Sequence, residues 1–376
     1  MVNSTAVGGG VAELLNRLIP LLGDLGLPTR WEVIRGDDAF FGVTKHIHNA
    51  LHGSRVEIAK SMLDVFEEVN RANARALDLT SDLVVIHDPQ PLPLIAAREN
   101  GGGRWVWRCH VDISRPQPDV WAFLRHYVVQ YDGSVFSAPE FSQVLPITQY
   151  MIHPSIDPLA AKNRQMGRGE IEDVLAHLGI RDDRPIVTQV SRFDRLKDPV
   201  GVIQAYRLAR RTVDCQLILA GGWATDDPEG AAVLEEVRRA ADGEPLIHIL
   251  ELPPFSDREI NALQRASTVI IQKSLREGFG LTVTEALWKR RPVIASAVGG
   301  IPLQVVHNLT GLLVHSVEGT AHRIRSLLRD PAFARRLGDN GHEYVKTRFL
   351  TTGNLRSWLA LAISLLHPGE RIIRLT

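Results

Sequence analysis

The chain has 376 residues, of which 44% are hydrophobic and 23% charged, and its 43 basic residues balance 43 acidic ones. This length exceeds what one hydrophobic core usually serves, so the composition predicts a globular protein of two domains. A formal net charge of zero excludes an overall field that would attract nucleic acid or an anionic membrane surface as the main partner.

The N-terminal residues lack the charged start and apolar stretch of a secretory signal, and no apolar run reaches the roughly 18 residues of a membrane span. The two cysteines, Cys109 and Cys215, lie in separate apolar, strand-like runs. We expect them to be reduced thiols of the core rather than a disulfide. Together these features predict a cytoplasmic protein.

The chain is predicted to open with a strand end, a glycine turn and an amphipathic helix. Residues 2–5 have strand composition, three glycines follow at 8–10, and the apolar spacing of residues 11–19 is helical. Glycines let the backbone approach a ligand closely, and a helix N-terminus attracts anions. A dinucleotide-binding unit starts in the same way, and Glu32 stands near the place of its ribose-binding acid, although Glu13 occupies the place of its third glycine.

Strand-like apolar runs recur along the first half, separated by helical or loop segments. They cover residues 30–34, 82–86, 104–109, 134–136 and 148–152. This alternation predicts a mainly parallel sheet with helices on both faces. Prolines and polar residues between 151 and 158 interrupt the pattern and predict a domain boundary.

The alternation then starts again and predicts a second doubly wound sheet. Its strand-like runs cover residues 185–190, 215–220, 246–250, 268–271, 292–295 and 311–314. We therefore expect an N-terminal domain over residues 1–155 and a C-terminal domain over 156–348. The last segment, 349–376, should contain a helix from Thr351 to Leu366 that packs across the domain joint.

Polar side chains follow two strands of the first half. His87 and Asp88 come after one strand, and His110 and Asp112 after the next. Because ligands of open parallel sheets bind at the carboxyl ends of strands, both groups are expected to face one crevice. Two alternatives stay open: the aspartates cap the following helices, and the histidines are hydrogen-bonded core residues.

No metal site is expected. His48 and His52 have i, i+4 spacing and His46 lies nearby, but no third ligand follows at metal-binding spacing. A polar loop or an ordinary surface explains these histidines better.

Two features of the second half suggest an anion site. Arg192 and Lys197 follow its first strand, and such a pair can neutralise a diphosphate, although a solvated loop would also carry these charges. Further on, Glu277 and Glu285 flank a glycine-rich turn into a helix. If that helix begins near Gly280, its first N–H groups point at an anion.

The spacing of the two glutamates fits a sugar nucleotide. Eight helical residues advance about 12 Å, which is the scale of the span from a sugar across a diphosphate to a ribose. Each carboxylate could therefore accept hydroxyls at one end of the ligand. A polar loop followed by an ordinary amphipathic helix is the alternative.

With both glycine loops, the Arg and Lys loop and the Glu-x7-Glu pair, the chain resembles the retaining glycosyltransferases of family 4. That family has the GT-B fold, in which two Rossmann-like doubly wound domains face a central cleft. More narrowly, the chain is similar to the trehalose glycosyltransferring synthases. The narrower resemblance rests on residues 2–13, 87–91, 107–112, 154–158, 189–194, 226–230 and 275–300. These relatives have a longer N-terminus with the body of the first strand, so either the natural start lies upstream of Met1, which we favour, or this domain does without that segment.

The resemblance implies roles for the residues of the second half. Glu277 would bind hydroxyls of the donor sugar, and Glu285 those of the ribose. Arg192 and Lys197 would stabilise the charge on the departing nucleoside diphosphate, in place of a metal. The other residues implied for donor binding are Gly9, Gly10, Gly278, Phe279, Gly280, Leu281 and Thr282.

For the first half, the resemblance implies that His110 contacts the donor sugar and Asp88 the acceptor. The implied reaction moves glucose reversibly from a nucleoside-diphosphate glucose to free glucose, giving trehalose with retention. The sequence offers no clear carboxylate nucleophile, so the acceptor would attack the face from which the diphosphate leaves, and domain closure would exclude water.

The expected partners are these small molecules, namely NDP-glucose, glucose and trehalose. No tightly bound cofactor, nucleic acid or membrane span is expected. The sequence leaves open the nucleobase, any dependence on Mg²⁺ and the oligomeric state, with a homodimer as one option.

Three other functions stay open. They are a family 4 transferase with a different acceptor such as a sugar phosphate or another hexose, a nicotinamide-dependent oxidoreductase using the first glycine loop, and an idle sugar-nucleotide-binding protein. An idle binder should lack one of the charged positions, yet Arg192, Lys197, Glu277 and Glu285 are all present.

Overall fold

The computed structural model describes residues 1–7, 9–99, 102–181, 183–222 and 230–369. The chain divides into two compact units. Unit 1 comprises the residues up to Pro154 together with those from Thr351 onward, and unit 2 is Ser155–Leu350. No helix among the described residues is long and apolar enough to cross a lipid bilayer.

Unit 1 is built on a parallel sheet of six strands in the order β2-β1-β3-β4-β5-β6. The strands are β1 (Val2–Asn3), β2 (Glu32–Val33), β3 (Leu83–His87), β4 (Arg104–Arg108), β5 (Gly133–Phe136) and β6 (Thr148–Met151). The helices between them are α1 (Gly9–Asp24), α2 (Asp38–Leu51), α3 (Lys60–Ala76) and α4 (Pro118–Val128).

Unit 2 is built on a second parallel sheet of six strands in the order β12-β11-β10-β7-β8-β9. The strands are β7 (Ile186–Val190), β8 (Gln216–Gly221), β9 (Ile247–Glu251), β10 (Val269–Gln272), β11 (Val293–Ser296) and β12 (Leu312–Val314). Its helices are α5 (Arg168–His177), α6 (Pro199–Arg210), α7 (Gly230–Ala241), α8 (Asp257–Ala266), α9 (Leu281–Trp288), α10 (Ile301–Gln304), α11 (Val317–Arg329) and α12 (Pro331–Arg348).

The apolar runs form strands because both faces of each sheet are covered. Every residue of β7 and β8 is buried, as expected for parallel strands between two helical layers. Side chains of α6, α7 and α11 fill the core on one face of the second sheet. On the other face, α9 and α12 pack in one cluster and α5 and α8 in another. The prediction of two Rossmann-like doubly wound domains is confirmed.

Each sheet has one place where the strand order reverses. In unit 2 the chain runs from β7 outward to β9 and then returns to place β10 on the other side of β7. In unit 1 the reversal lies between β1 and β3. Such switch points open a crevice at the carboxyl ends of the two central strands, where α/β proteins bind ligands.

The last described helix, α13 (Thr351–Leu366), confirms the predicted C-terminal helix. Its residues Trp358, Leu361 and Leu365 are buried in one cluster with Val85 of β3 and Val106 of β4. The C-terminal segment therefore completes the core of unit 1.

The chain passes between the units twice. It enters unit 2 after Pro154 and leaves after Leu350. Within unit 2, the Ile156 N–H donates to the Phe349 carbonyl at 2.9 Å. Within unit 1, the Asn354 side chain donates to the His153 carbonyl at 2.6 Å.

Candidate active site

Two loops meet at the switch point of unit 2. The loop after β7 contains a short 3-10 helix, Arg195–Lys197, whose start is capped because Asp194 accepts from the Leu196 N–H at 2.7 Å. The loop after β10 joins it through the Leu275 N–H, which donates to the Leu196 carbonyl at 2.7 Å. The basic loop and the Glu-x7-Glu motif therefore lie together.

Glu277 is a buried carboxylate, 7% exposed, with hydrogen bonds to both oxygens. The Lys197 ammonium donates to each of them at 2.7 Å. The Ser274 hydroxyl donates to one oxygen at 3.0 Å and the Gln272 amide to the same oxygen at 3.2 Å. The charge of Glu277 is thus balanced, and its orientation is fixed from three directions.

The turn after Glu277 leads directly into α9. Gly280 precedes the helix with φ 84°, a left-handed conformation that glycine adopts without strain. The Gly300 N–H donates to the Gly278 carbonyl at 3.1 Å, and the Gln304 side chain donates to the Phe279 carbonyl. The helix predicted near Gly280 is confirmed, and the first-turn N–H groups of α9 follow the turn.

Gly299 lies against this turn and has φ 54°. A Cβ atom at Gly299 would overlap the main-chain carbonyl of Glu277. The segment after β11 is therefore in backbone contact with the glutamate, and only a residue without a side chain fits there.

Glu285 lies in the second turn of α9 and is 3% exposed. The Lys162 ammonium lies 3.8 Å from its carboxylate. The buried Lys289 ammonium donates to the Glu285 carbonyl at 3.3 Å and also to Asn163 and Gln264. Glu285, the second glutamate of the motif, is thus buried on α9 with the ammonium groups of Lys162 and Lys289 close to it.

Arg192 differs from Lys197 in its exposure. Its guanidinium lies 3.6 Å from the Asp194 carboxylate, and its side chain is 37% exposed. The next residue of the loop after Lys197 is Asp198, whose carboxylate caps α6 at the Gly201 N–H and pairs with Lys273. The two predicted cations thus have different partners: the Lys197 ammonium bonds the Glu277 carboxylate, and the Arg192 guanidinium lies beside the Asp194 carboxylate.

Unit 1 carries a second polar cluster at the ends of β3 and β4. Asp88 has φ 64°, and its N–H donates to the Arg108 carbonyl at 2.8 Å. The Asp88 carboxylate accepts from the His110 N–H at 2.7 Å, so it caps the neighbouring strand end and not a following helix. Asp112, by contrast, accepts from the Ser114 N–H at 2.9 Å in a local turn.

The two histidines of this cluster contact each other. His87 Nδ1 lies 3.1 Å from His110 Nε2, and the rings are 15° from parallel with centroids 5.4 Å apart. Burial lowers the pKa of both imidazoles well below their usual value. Burial raises the pKa of Asp88 to about 7, against the opposing effects of the His110 N–H and of Arg108.

The first glycine turn lies partly outside the described residues, because these omit Gly8. Helix α1 begins at Gly9, so Gly9 and Gly10 supply two of its first-turn N–H groups. The motif at 226–230 also falls outside the described residues except for Gly230, where α7 begins.

The three histidines considered as metal ligands lie at α2. The rings of His48 and His52 contact each other edge to face at 4.6 Å, and His46 bonds the Gly42 carbonyl at 2.8 Å. Over the described ranges, no group of three or more His, Cys, Asp or Glu is arranged to hold a metal ion.

Sequence reasoning missed several residues that shape the site. Gln272 and Ser274 bond Glu277, and Gln304 bonds the turn before α9. The consecutive glycines 299 and 300, separated from the end of β11 by two residues, were the available signal for the close backbone contact. Gln272, Ser274 and Gln304 carried no such signal, because each forms its hydrogen bond with a group that only the folded chain brings close to it.

Comparisons with known proteins match both units. Residues 1–143 match the family model described as "Trehalose synthase, N-terminal domain", and residues 170–344 match "Glycosyl transferases group 1". A trehalose synthase of Thermococcus litoralis is 44% identical over 367 residues, covering 96% of this chain and 89% of that protein. A trehalose phosphorylase of Pleurotus sajor-caju is 28% identical, with 98% of this chain and 58% of that protein covered.

A solved structure supports the fold. The α,α-trehalose-phosphate synthase (UDP-forming) from Burkholderia xenovorans, in complex with glucose-6-phosphate, has a TM-score of 0.78 at 14% identity, covering 96% of this chain and 98% of that one. At this identity the likeness shows the fold alone. The matches together bear out a transferase and not the nicotinamide-dependent oxidoreductase: the chain belongs to the trehalose synthase family of group 1 glycosyltransferases, and it is a hexosyltransferase of the GT-B fold.

Proposed function

We propose that this protein moves glucose from a nucleoside-diphosphate glucose to free glucose and so makes trehalose, with retention at the anomeric carbon. The acceptor hydroxyl attacks the face from which the diphosphate departs, a diphosphate oxygen takes its proton, and an oxocarbenium-like sugar lies between. The reaction is reversible.

Unit 2 holds the donor in this proposal. Glu277 accepts hydroxyls of the glucose, Glu285 those of the ribose, and the turn Gly278–Leu281 with Thr282 lies along the diphosphate. Arg192 and Lys197 stabilise the charge that develops on the leaving group, which is an electrostatic contribution to the barrier.

The observation that carries this proposal is the buried Lys197–Glu277 pair beside the start of α9. A lysine ammonium has three hydrogens, and two of them are directed at the Glu277 oxygens. The pair holds the Glu277 carboxylate in place as an acceptor for sugar hydroxyls. The third hydrogen of the Lys197 ammonium takes no part in the bonds to Glu277. Lys197 therefore suits contact with a diphosphate without releasing Glu277.

Unit 1 supplies the acceptor-binding residues. Asp88 and His110 are partly accessible at the ends of β3 and β4, next to the reversal point where Gly9 and Gly10 begin α1. We assign the acceptor to Asp88, the donor sugar near its anomeric carbon to His110, and the diphosphate to Gly9 and Gly10.

The test offers ADP-, UDP- and GDP-glucose, each with free glucose, and follows the products by NMR. We expect a non-reducing disaccharide with the single α-anomeric signal of the symmetric α,α-trehalose, together with release of the nucleoside diphosphate. No disaccharide with any donor, or a product with inverted configuration, would contradict the proposal.

A sugar phosphate is the second candidate acceptor. The Burkholderia xenovorans synthase, which shares the fold, was solved in complex with glucose-6-phosphate. The same assay with glucose 6-phosphate in place of glucose separates the two candidates. Product only from the phosphorylated sugar would establish the second and exclude the first.

A further inference from the structure

Arg108 is a buried guanidinium that forms no ion pair with the described residues. It is the last residue of β4 and is 2% exposed. Its Nη2 donates to the Ser137 hydroxyl at 3.1 Å, whereas Nε and Nη1 have no hydrogen-bond partner among the described residues. Burial lowers the pKa of Arg108 to about 10, so the group still carries its charge at neutral pH. A buried, unpaired charge is costly, and it suggests a role beyond packing.

The position of Arg108 follows from the strand. It lies two residues after Val106, so both side chains are on the face of the sheet covered by α13. That covering is apolar, with Trp358, Leu361 and Leu365 buried against the sheet. The charge of Arg108 is therefore little screened by water, and it acts over a longer distance than a surface charge would.

The polar cluster at the ends of β3 and β4, to which we assign the acceptor, lies directly beside this charge. His87 of β3 is paired in register with Arg108 of β4. Asp88 follows His87, bonds the Arg108 carbonyl with its N–H and holds the His110 N–H with its carboxylate. Asp88 and His110 are partly accessible, whereas His87 and Arg108 lie buried behind them.

The His87–His110 contact requires that one of its two nitrogens carry no proton. At 3.1 Å between Nδ1 and Nε2, one nitrogen must donate and the other accept. A proton added to the accepting nitrogen would place two N–H groups against each other. The hydrogen bond therefore persists only while the ring that accepts it is neutral, and it is lost when both imidazoles are protonated.

We infer that Arg108 is a positioning residue for acceptor binding: its buried charge favours the ionised form of Asp88, which holds the His110 main chain, and it opposes protonation of the hydrogen-bonded His87–His110 pair. This inference rests on the proposed function, because the acceptor role of Asp88 does.

The electrostatic effects of Arg108 have the required signs. After burial, Arg108 is the next largest cause that lowers the pKa of His110. For His87 the order is burial, the Met1 ammonium and then Arg108. For Asp88, Arg108 opposes the rise in pKa caused by burial. The other titratable groups near the cluster are the Met1 ammonium, Cys109, Asp112 and His153.

The test compares Arg108→Met, which removes the charge, with Arg108→Lys, which keeps it. The measured quantity is kcat/KM for free glucose from pH 5.5 to 9, at a saturating concentration of the NDP-glucose that the parent uses fastest. Without the charge, the pKa values of Asp88 and both histidines rise. We expect the acid limb to move to higher pH by about half a unit or more in Arg108→Met and to stay in place in Arg108→Lys. Equal losses in both variants with an unmoved acid limb would show a merely structural role.

A second measurement needs neither a variant nor turnover. Nitrogen-15 NMR of the parent protein reports the protonation of each imidazole between pH 5.5 and 8. We expect His87 and His110 to stay neutral and hydrogen-bonded throughout this range. A ring of either residue that titrates near pH 6.5 would overturn the inference, even if the protein used a different acceptor.

Discussion

At the scale of single residues, the Lys197–Glu277 pair joins positions 80 apart in the sequence. A buried ion pair contributes little net stability, because the desolvation of both charges offsets their attraction. Its main effect is to hold the Glu277 carboxylate at a defined place. The pair therefore serves recognition more than folding.

Replacing only one partner separates these two effects. In Lys197→Met, Glu277 becomes a buried carboxylate without its cation, and we expect the free energy of unfolding to fall by about 3 kcal/mol. We also expect the rate of glucose transfer to fall by about 10² to 10³. Chemical denaturation and single-turnover kinetics measure the two quantities.

The double variant Lys197→Met with Glu277→Gln supplies the decisive comparison. It contains no unpaired charge, so most of the lost stability should return while transfer stays lost. Arg195→Met is the matched control, because Arg195 is on the same loop and pairs with Glu236 at the surface. Transfer that returned together with stability would show that the pair only supports the fold.

At the scale of secondary-structure elements, the start of α9 depends on the segment after β11. A side chain at Gly299 would meet the Glu277 carbonyl, and φ at this residue is 54°. In Gly299→Ala the segment must shift away from the turn, which displaces Glu277 and Gly278. We expect donor affinity to fall at least tenfold, measured by calorimetry with the NDP-glucose, and stability to fall by about 1 to 3 kcal/mol.

Gly169→Ala is the control for this change. Gly169 lies in the first turn of α5, and a Cβ atom there would meet nothing within 4 Å. This variant should bind the donor as the parent does and be slightly more stable. Unchanged donor affinity in Gly299→Ala would show that the turn does not contact the donor.

The elements themselves were predictable from the sequence. Parallel strands buried on both faces read as continuous apolar runs, and the runs at 185–190 and 215–220 became β7 and β8. Loops at the carboxyl ends of such strands could be assigned to a ligand because the topology brings those ends together. The Glu-x7-Glu motif was recognisable for the same reason, since it follows a strand and begins a helix.

The pairing of side chains was not predictable. Nothing in the local sequence around Lys197 indicates that its ammonium meets Glu277, because the contact arises only when β7 and β10 become neighbours. Arg108 ends an apolar run and could be expected to leave the core. The structure buries it instead, because α13, more than 240 residues later in the sequence, covers that face.

At the scale of the whole molecule, α13 belongs to the core of unit 1 although it follows unit 2 in the sequence. Trp358 is 7% exposed. Trp358→Ala should destabilise unit 1 by about 3 kcal/mol or more and leave the clusters of unit 2 unchanged. Hydrogen exchange should therefore quicken in β3, β4 and β5 while β7, β8 and β10 keep their protection.

Leu366→Ala on the same helix is the matched control, because Leu366 is 41% exposed. Its exchange pattern should match that of the parent protein. Equal loss of protection in both sheets of Trp358→Ala would mean that the two units unfold as one cooperative body.

The two passages of the chain between the units also fix an order of events during synthesis. All of unit 2 is translated after β6 and before α13. At roughly 5 to 20 residues per second, this takes about ten to forty seconds. Throughout that time α1 alone, among the described helices, supplies side chains to the face of β3, β4 and β5 that α13 later completes, whereas unit 2 emerges as one continuous segment. The later unit can thus reach its native state first, and the unit that begins the chain is the last to be finished.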